Sequence, residues 1–158
     1  MNILYLPDNI TPTYIDFGNN NIFHNVNKLG LITYYTTIKS DNMYYLIYAM
    51  PHFELIDIKY SSQYSSNIED YTHNIKMNMT NINDLIKIIP NILYVIIELI
   101  KYVNLLFIQL YIPNDSIRYN IYKSLQTTNI VTYLLDNNIQ VIKEQDKYIY
   151  FNNYNAND

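Results

Sequence analysis

Cysteine is missing from this 158-residue chain, which excludes a disulfide scaffold, a thiolate metal site and a cysteine nucleophile. Glycine is nearly missing, with Gly18 and Gly30 the two present. A glycine-rich loop that lays backbone N–H groups against a phosphate is therefore hard to place. Basic residues are sparse: 10 Lys+Arg stand against 14 Asp+Glu, for a net charge of −4. They are scattered singly, without the basic stripe that phosphate neutralisation requires, so nucleic acid is not an expected partner. Long apolar runs are also lacking. The most hydrophobic stretch, residues 85–112, is broken by Lys87, Glu98 and Lys101 into pieces well short of the ~20 residues that span a bilayer. No basic segment precedes the short apolar patch at the N-terminus, unlike a secretory signal. These absences lead to the expectation of a soluble cytoplasmic protein with no membrane partner.

What is present is a core-forming composition. Hydrophobic residues make up 49% of the chain, enough for one domain that needs no covalent staple. Ile (27), Asn (24) and Tyr (19) together supply 70 residues. All three have AT-rich codons, so their abundance reflects the genome and is not by itself a sign of function.

The pattern along the chain predicts an α+β domain over residues 31–151, preceded by an irregular segment 1–30 and followed by a frayed tail 152–158. Pro7, Pro12 and Gly18 punctuate the first segment, where a short strand fits Ile3–Leu6 or Tyr14–Phe17. Leu31–Lys39 and Met43–Met50 are rich in β-branched and aromatic residues and flank the turn triplet Ser40-Asp41-Asn42, which reads as a hairpin. Phe53–Tyr60 follows as a third strand with Glu54, Asp57 and Lys59 set among apolar residues. Residues 61–80 read as an exposed polar loop, with a short strand around Ile75–Met79. A helix follows, capped by Thr80 or Asn81, with Asp84 at its positive end. Because proline inside a helix costs ~3 kcal/mol, either a short turn at 82–88 precedes a main helix starting near Pro90, the favoured reading, or the helix kinks there, and Asn104 ends it. Leu105–Ile112 reads as a strand buried on both faces. Pro113-Asn114-Asp115-Ser116 stops it and caps a second helix carrying Ile117, Ile121, Tyr122 and Leu125. A short segment at Ile130–Leu135 and the strands Ile139–Lys143 and Lys147–Phe151 complete the chain. The expected architecture is a mostly antiparallel twisted sheet covered by two main helices.

Few side chains are set out for chemistry. His24, His52 and His73 match no metal-ligand spacing, so neither a metal nor a cofactor is expected. Glu54 and Asp57 are three apart on a strand and point to opposite faces. Ser61, Ser62, Ser65 and Ser66 lie in a polar stretch with neither a nucleophile elbow nor an SxxK motif. Tyr34, Tyr35, Tyr44, Tyr45 and Tyr48 populate both faces of the hairpin, so some must be exposed, as interface tyrosines are. Glu98 is set inside the apolar helical run YVIIELIKYV with Lys101 three residues on, and suits a charged contact on an outer helix face.

The order helix, buried strand, Pro-Asn-Asp, helix, strand, strand resembles the second half of the acetyl-CoA-dependent N-acetyltransferase fold. In that superfamily a glycine-containing loop holds the pyrophosphate of the cofactor at the helix N-terminus. The corresponding stretch here, KMNMTNINDL, has no glycine. A non-enzymatic relative of that fold, the ornithine decarboxylase antizyme family, is similar over about two thirds of the chain. NILYVIIELIKYVN resembles its helix, LLFIQLYIPNDSIRYNIYKSL its following strand, charged turn and second helix, and MYYLIYAMPHFELIDI its upstream strand, most closely in yeast-type members. The chain departs from the family where Thr128-Asn129-Ile130 replaces a Gly-Phe, where Pro90 replaces a basic residue ahead of the helix, and where Lys101 and Tyr102 replace an acid pair.

This resemblance implies an acetyltransferase-like topology and a protein partner, ornithine decarboxylase. Its monomers would be trapped and delivered to the proteasome as part of polyamine homeostasis. It assigns partner contact to the helix around Glu98, with Tyr94, Lys101 and Tyr102. Two alternatives remain open. One is a divergent acyl-CoA-dependent transferase with Tyr119 or Tyr122 as general acid. The other is a lineage-specific viral or protist interaction module.

Overall fold

β-branched and aromatic residues favour extended backbone because their side chains fit a pleated, half-covered surface. In this chain they build a single sheet. The computed structural model describes residues 2–3, 16–17, 22–40, 43–74 and 82–156. The strands are β1 (Asn2–Ile3), β2 (Asp16–Phe17), β3 (Phe23–Val26), β4 (Ile32–Ser40), β5 (Met43–Met50), β6 (Leu55–Ser61), β7 (His73–Asn74), β8 (Phe107–Tyr111), β9 (Ile139–Gln145) and β10 (Tyr148–Asn153). Among the described residues three α-helices accompany them: α1 (Ile82–Val103), α2 (Asp115–Ser124) and α3 (Thr128–Asp136). The sheet order is β1-β2-β4-β5-β6-β8-β10-β9, with β3 also paired to β4 and β7 to β6. All described pairings are antiparallel except β6 with β8, which α1 joins as a crossover. The fold is therefore α+β with a mostly antiparallel open sheet.

The helices lie on one face of the sheet. Ile38, Ile47, Ile56, Ile58, Ile108, Leu110, Ile149 and Phe151 project from the strands into the core, where they meet Ile89, Ile92, Ile96 and Leu99 of α1. Ile117 and Ile121 of α2 and Ile130 and Leu134 of α3 close it. Each fully buried residue of this size contributes about 1.5–3 kcal/mol relative to exposure. From Ile88 to Ile100 every side chain of α1 except Pro90 and Glu98 is buried. A helix that is apolar all round must be covered all round.

That burial explains why α1 does not start at Pro90. The helix runs unbroken from Ile82 to Val103 with Pro90 inside it. The missing N–H and ring clash cost about 3 kcal/mol, which the burial of α1 offsets. Asn104 does end the helix: it takes φ +54°, and its N–H bonds the Ile100 carbonyl at 2.9 Å.

Other boundaries differ from expectation for local reasons. α3 is a third helix, where the sequence pattern suggests a short segment. β8 alternates buried Ile108 and Leu110 with half-buried Phe107, Gln109 and Tyr111, so one of its faces is in the core and the other is only partly covered. β3 lies within the segment expected to be irregular and pairs with β4 through Val26 and Ile32. Asn152 and Asn153 extend β10, and Asn155 donates to the Asn137 carbonyl at 2.7 Å, so the chain stays attached to the fold beyond residue 151. The polar stretch after β6 is ordered around buried Tyr71, whose hydroxyl donates to the Ser65 carbonyl and accepts from its N–H, both at 2.9 Å. The expected caps Thr80 and Asn81 and the expected strand Ile75–Met79 lie outside the described residues.

Candidate functional site

Sheet register brings five connections to one end of the molecule. The β3–β4 turn, the β5–β6 turn, the end of α1 with the start of β8, the α3–β9 turn and the end of β10 all meet there. Of the large apolar and aromatic side chains exposed among the described residues, eight of eleven sit at this end. They are Val26, Leu29, Ile32, Phe53, Tyr102, Leu106, Leu135 and Tyr154. Single exposed apolar residues are ordinary, whereas eight of them at one end of a sheet are a grouping.

Local chemistry fixes the surface. The Asn27 side chain accepts from the N–H groups of Leu29 (2.9 Å) and Leu31 (3.0 Å), and the Gly30 N–H bonds the Asn27 carbonyl at 3.0 Å. This turn needs Gly30 at φ +83°, where a β-carbon would be strained, and it leaves Leu29 83% exposed at its tip. Beside the turn is an open cleft of about 400 Å³ lined by Gly30, Ile32, Tyr34, Pro51, His52 and Val103. Tyr102 stands at its side, its ring edge-on to Tyr34 at 5.3 Å.

The four helix residues singled out from the sequence divide between two environments. Tyr102 belongs to the apolar end and is 57% exposed. Lys101 is exposed and pairs with Glu98 at 3.3 Å. Glu98 is half-buried and already engaged: the Tyr133 hydroxyl of α3 donates to its Oε1 at 2.6 Å. Tyr94 is only 2% exposed, packed edge-on against Tyr133 with centroids 4.5 Å apart, so it is a core residue and not a surface contact. The reason is α3, which covers this flank of α1. Burial first, and then the Glu98 carboxylate beside it, push the Tyr133 hydroxyl well above the ordinary phenol range. Tyr133 does not stand out in the sequence, although Ile130, Val131, Leu134 and Leu135 carry a helical period.

A second feature lies on the sheet face away from the helices. Asp57 is 7% exposed on β6 and accepts from the Tyr48 hydroxyl at 2.5 Å and the Ile58 N–H at 2.7 Å. Burial raises its carboxyl above the usual aspartate range, against the pull of those two donors and Lys59. It also raises the Tyr48 hydroxyl, with the Asp57 charge adding to the effect.

The remaining candidates are dispersed. Tyr119 is exposed with the Lys123 ammonium over its ring at 5.6 Å, and Tyr122 packs against the core. Among the described residues no three His, Asp or Glu side chains converge as a metal site, and no helix is long and apolar enough to cross a membrane.

No family model, curated protein or solved structure matches the chain.

Proposed function

We propose that the chain is a non-catalytic protein-binding inhibitor of the antizyme type, whose partner is an ornithine decarboxylase monomer that it holds apart from its second subunit and commits to the proteasome. The observation that carries protein contact is the apolar end: eight exposed apolar and aromatic side chains lie along one end of the sheet, and one of them, Ile32, lines an open cleft. A subunit interface is displaced by a surface that buries comparable apolar anchors, and aromatic residues such as Tyr102 and Phe53 serve best in that role. Net charge −4 would steer encounter with a basic partner surface.

The topology supports an acetyltransferase-like relationship. One parallel pair, β6 with β8, is joined by α1 inside an otherwise antiparallel sheet, and α2, β9 and β10 return beyond it. The same pair weighs against the acyl-CoA-dependent alternative. Ligands of open sheets favour the crevice beyond the carboxyl ends of parallel strands. Here β7 pairs with β6 at Lys59 and Tyr60, just past the last paired residues Asp57 and Tyr111, and occupies that rim.

The test is sedimentation of ornithine decarboxylase with increasing amounts of this chain. The expected result is conversion of the decarboxylase dimer into a 1:1 complex with loss of its activity. An unchanged dimer at saturating chain, or saturable acetyl-CoA binding by calorimetry, would overturn the reading.

A further inference from the structure

The helix-free face of the sheet carries an aromatic row that only the register makes visible. Phe23, Tyr35, Tyr48, Asp57, Tyr111 and Tyr148 are successive partners across β3, β4, β5, β6, β8 and β10. In the next row Gln109 stands opposite Tyr150, and Tyr150 opposite Lys143. The loop after β6 covers the β4–β5 half of this face, where the Tyr35 hydroxyl donates to the Ser66 carbonyl and Tyr64 lies against Tyr44. On β8 and β10 the half-buried rings form a continuous series. Tyr111 meets Tyr148 at 5.4 Å, Tyr148 meets Tyr150 at 6.1 Å, and Tyr150 meets Phe107 at 5.5 Å.

The register places two lysines and one carboxylate on this half. The Lys59 ammonium sits 5.8 Å from the centre of the Tyr48 ring and that of Lys143 5.0 Å from the centre of Tyr150. These two pairs flank Tyr111 and Tyr148. Among the described residues, Asp57 is the one carboxylate that the register places here, and it is buried beneath its hydrogen bond from Tyr48. A chain that is acidic overall thus presents an aromatic face edged by lysines. Lys143 on β9 lies in the row of Leu55, so Lys59 on β6 is three strands away across the sheet and four residues away along it, roughly 19 Å at the usual spacings.

We propose that the Tyr111–Tyr148–Tyr150 surface is a stacking platform for single-stranded nucleic acid, with Lys59 and Lys143 placed to meet its phosphates. Planar bases supply the ring-to-ring contact that a row of tyrosines offers, and phosphates are attracted to the two lysines, of which Lys59 also faces the buried Asp57. A duplex hides its base faces and does not fit. A second copy of this chain would set lysines against lysines. The whole-chain count of basic residues argued against nucleic acid because it could not register that two of them edge one aromatic surface.

The test is fluorescence anisotropy of the full chain with labelled oligouridylate about a dozen nucleotides long, within the size range of stacking sites. Saturable binding that weakens with salt is expected, with little for a duplex of equal length. Tyr111→Ala and Tyr148→Ala should each weaken it about fivefold or more. Tyr111→Phe and Tyr148→Phe, which keep the ring, should bind as the parent does. Lys59→Gln with Lys143→Gln should flatten the salt slope by about 0.7 for each phosphate no longer neutralised. Melting curves establish that each variant is folded. Three outcomes would overturn the proposal: no saturable binding, alanine variants that are folded yet bind as the parent does, or equal competition by duplex or polyglutamate.

Discussion

Tyr133 of α3 donates its hydroxyl to Glu98 Oε1 of α1 at 2.6 Å, and this single bond links two residues 35 apart in the chain. The residue singled out from the sequence for partner contact thus also joins two helices. Tyr133→Phe removes the donor and leaves the carboxylate with Lys101 and water. Hydrogen bonds to charged groups contribute roughly 1.5–3 kcal/mol. Because Glu98 stays half exposed, a loss at the lower end of that range is expected in urea unfolding. Glu98→Gln keeps an acceptor for Tyr133 and should cost less than Tyr133→Phe.

Arg118 is the one arginine in the chain. It is 7% exposed on α2, donates to the Ile112 carbonyl at 2.9 Å, pairs with Asp115, and lies 3.4 Å from Glu144 on β9. Arg118→Ala removes the donor for a buried carbonyl and frees both acids. Because the Asp115 side chain is largely solvated, the expected loss is about 2–3 kcal/mol, below the range for fully buried pairs. Arg118→Lys should recover only part of it, since an ammonium cannot span three partners in a fixed fork. Thermal and denaturant unfolding of the two variants measures this.

Pro90 sits inside α1 without an N–H to give the carbonyl one turn earlier. Pro90→Ala restores that bond and lifts the steric clash at a half-buried position. A gain of roughly 1–3 kcal/mol is expected, below the full difference in helix propensity because the fold has adapted to the ring. Equal or lower stability of Pro90→Ala would mean that the ring's packing outweighs the helix defect.

Asp57 provides a pH signature. Its carboxyl is raised above the ordinary 3.8 by burial. Such a group favours the fold while protonated, and the benefit fades as pH climbs through the folded value. Asp57→Asn has no ionisation to lose and keeps an acceptor for the Tyr48 hydroxyl. The melting temperature of Asp57→Asn relative to the parent should therefore be more favourable near neutral pH than below 3.8. A difference that does not change with pH would remove the buried charge from the explanation.

Much of the sheet was legible because hairpin strands announce themselves locally. Ile32–Ser40 and Met43–Met50 lie within a residue of the spans read from β-branched and aromatic content. A cap within Pro113-Asn114-Asp115-Ser116 was legible for the same reason, and the structure assigns it to Asn114, whose side chain accepts from the Ile117 N–H at 3.0 Å. α3 was hidden because Ile130, Val131 and Thr132 are β-branched and Thr127 makes no side-chain cap bond, so propensity pointed away from helix. Pro90 misled in the opposite direction, since a local penalty was outweighed by tertiary burial. The apolar end and the aromatic row were invisible to any local window. Each gathers residues from strands far apart in sequence, and only register places Tyr48, Asp57 and Tyr111 side by side.

The apolar end is tested most directly by its own charge variants. If the proposed function holds, ornithine decarboxylase titrated with Leu29→Asp/Leu106→Asp should bind at least tenfold more weakly than with the parent chain, because both side chains are exposed at that end. Lys123→Glu, on α2 away from it, should bind as the parent does. Leu29→Asp/Leu106→Asp binding as tightly as the parent, with the fold intact by circular dichroism, would contradict a role for this end of the sheet in holding a partner.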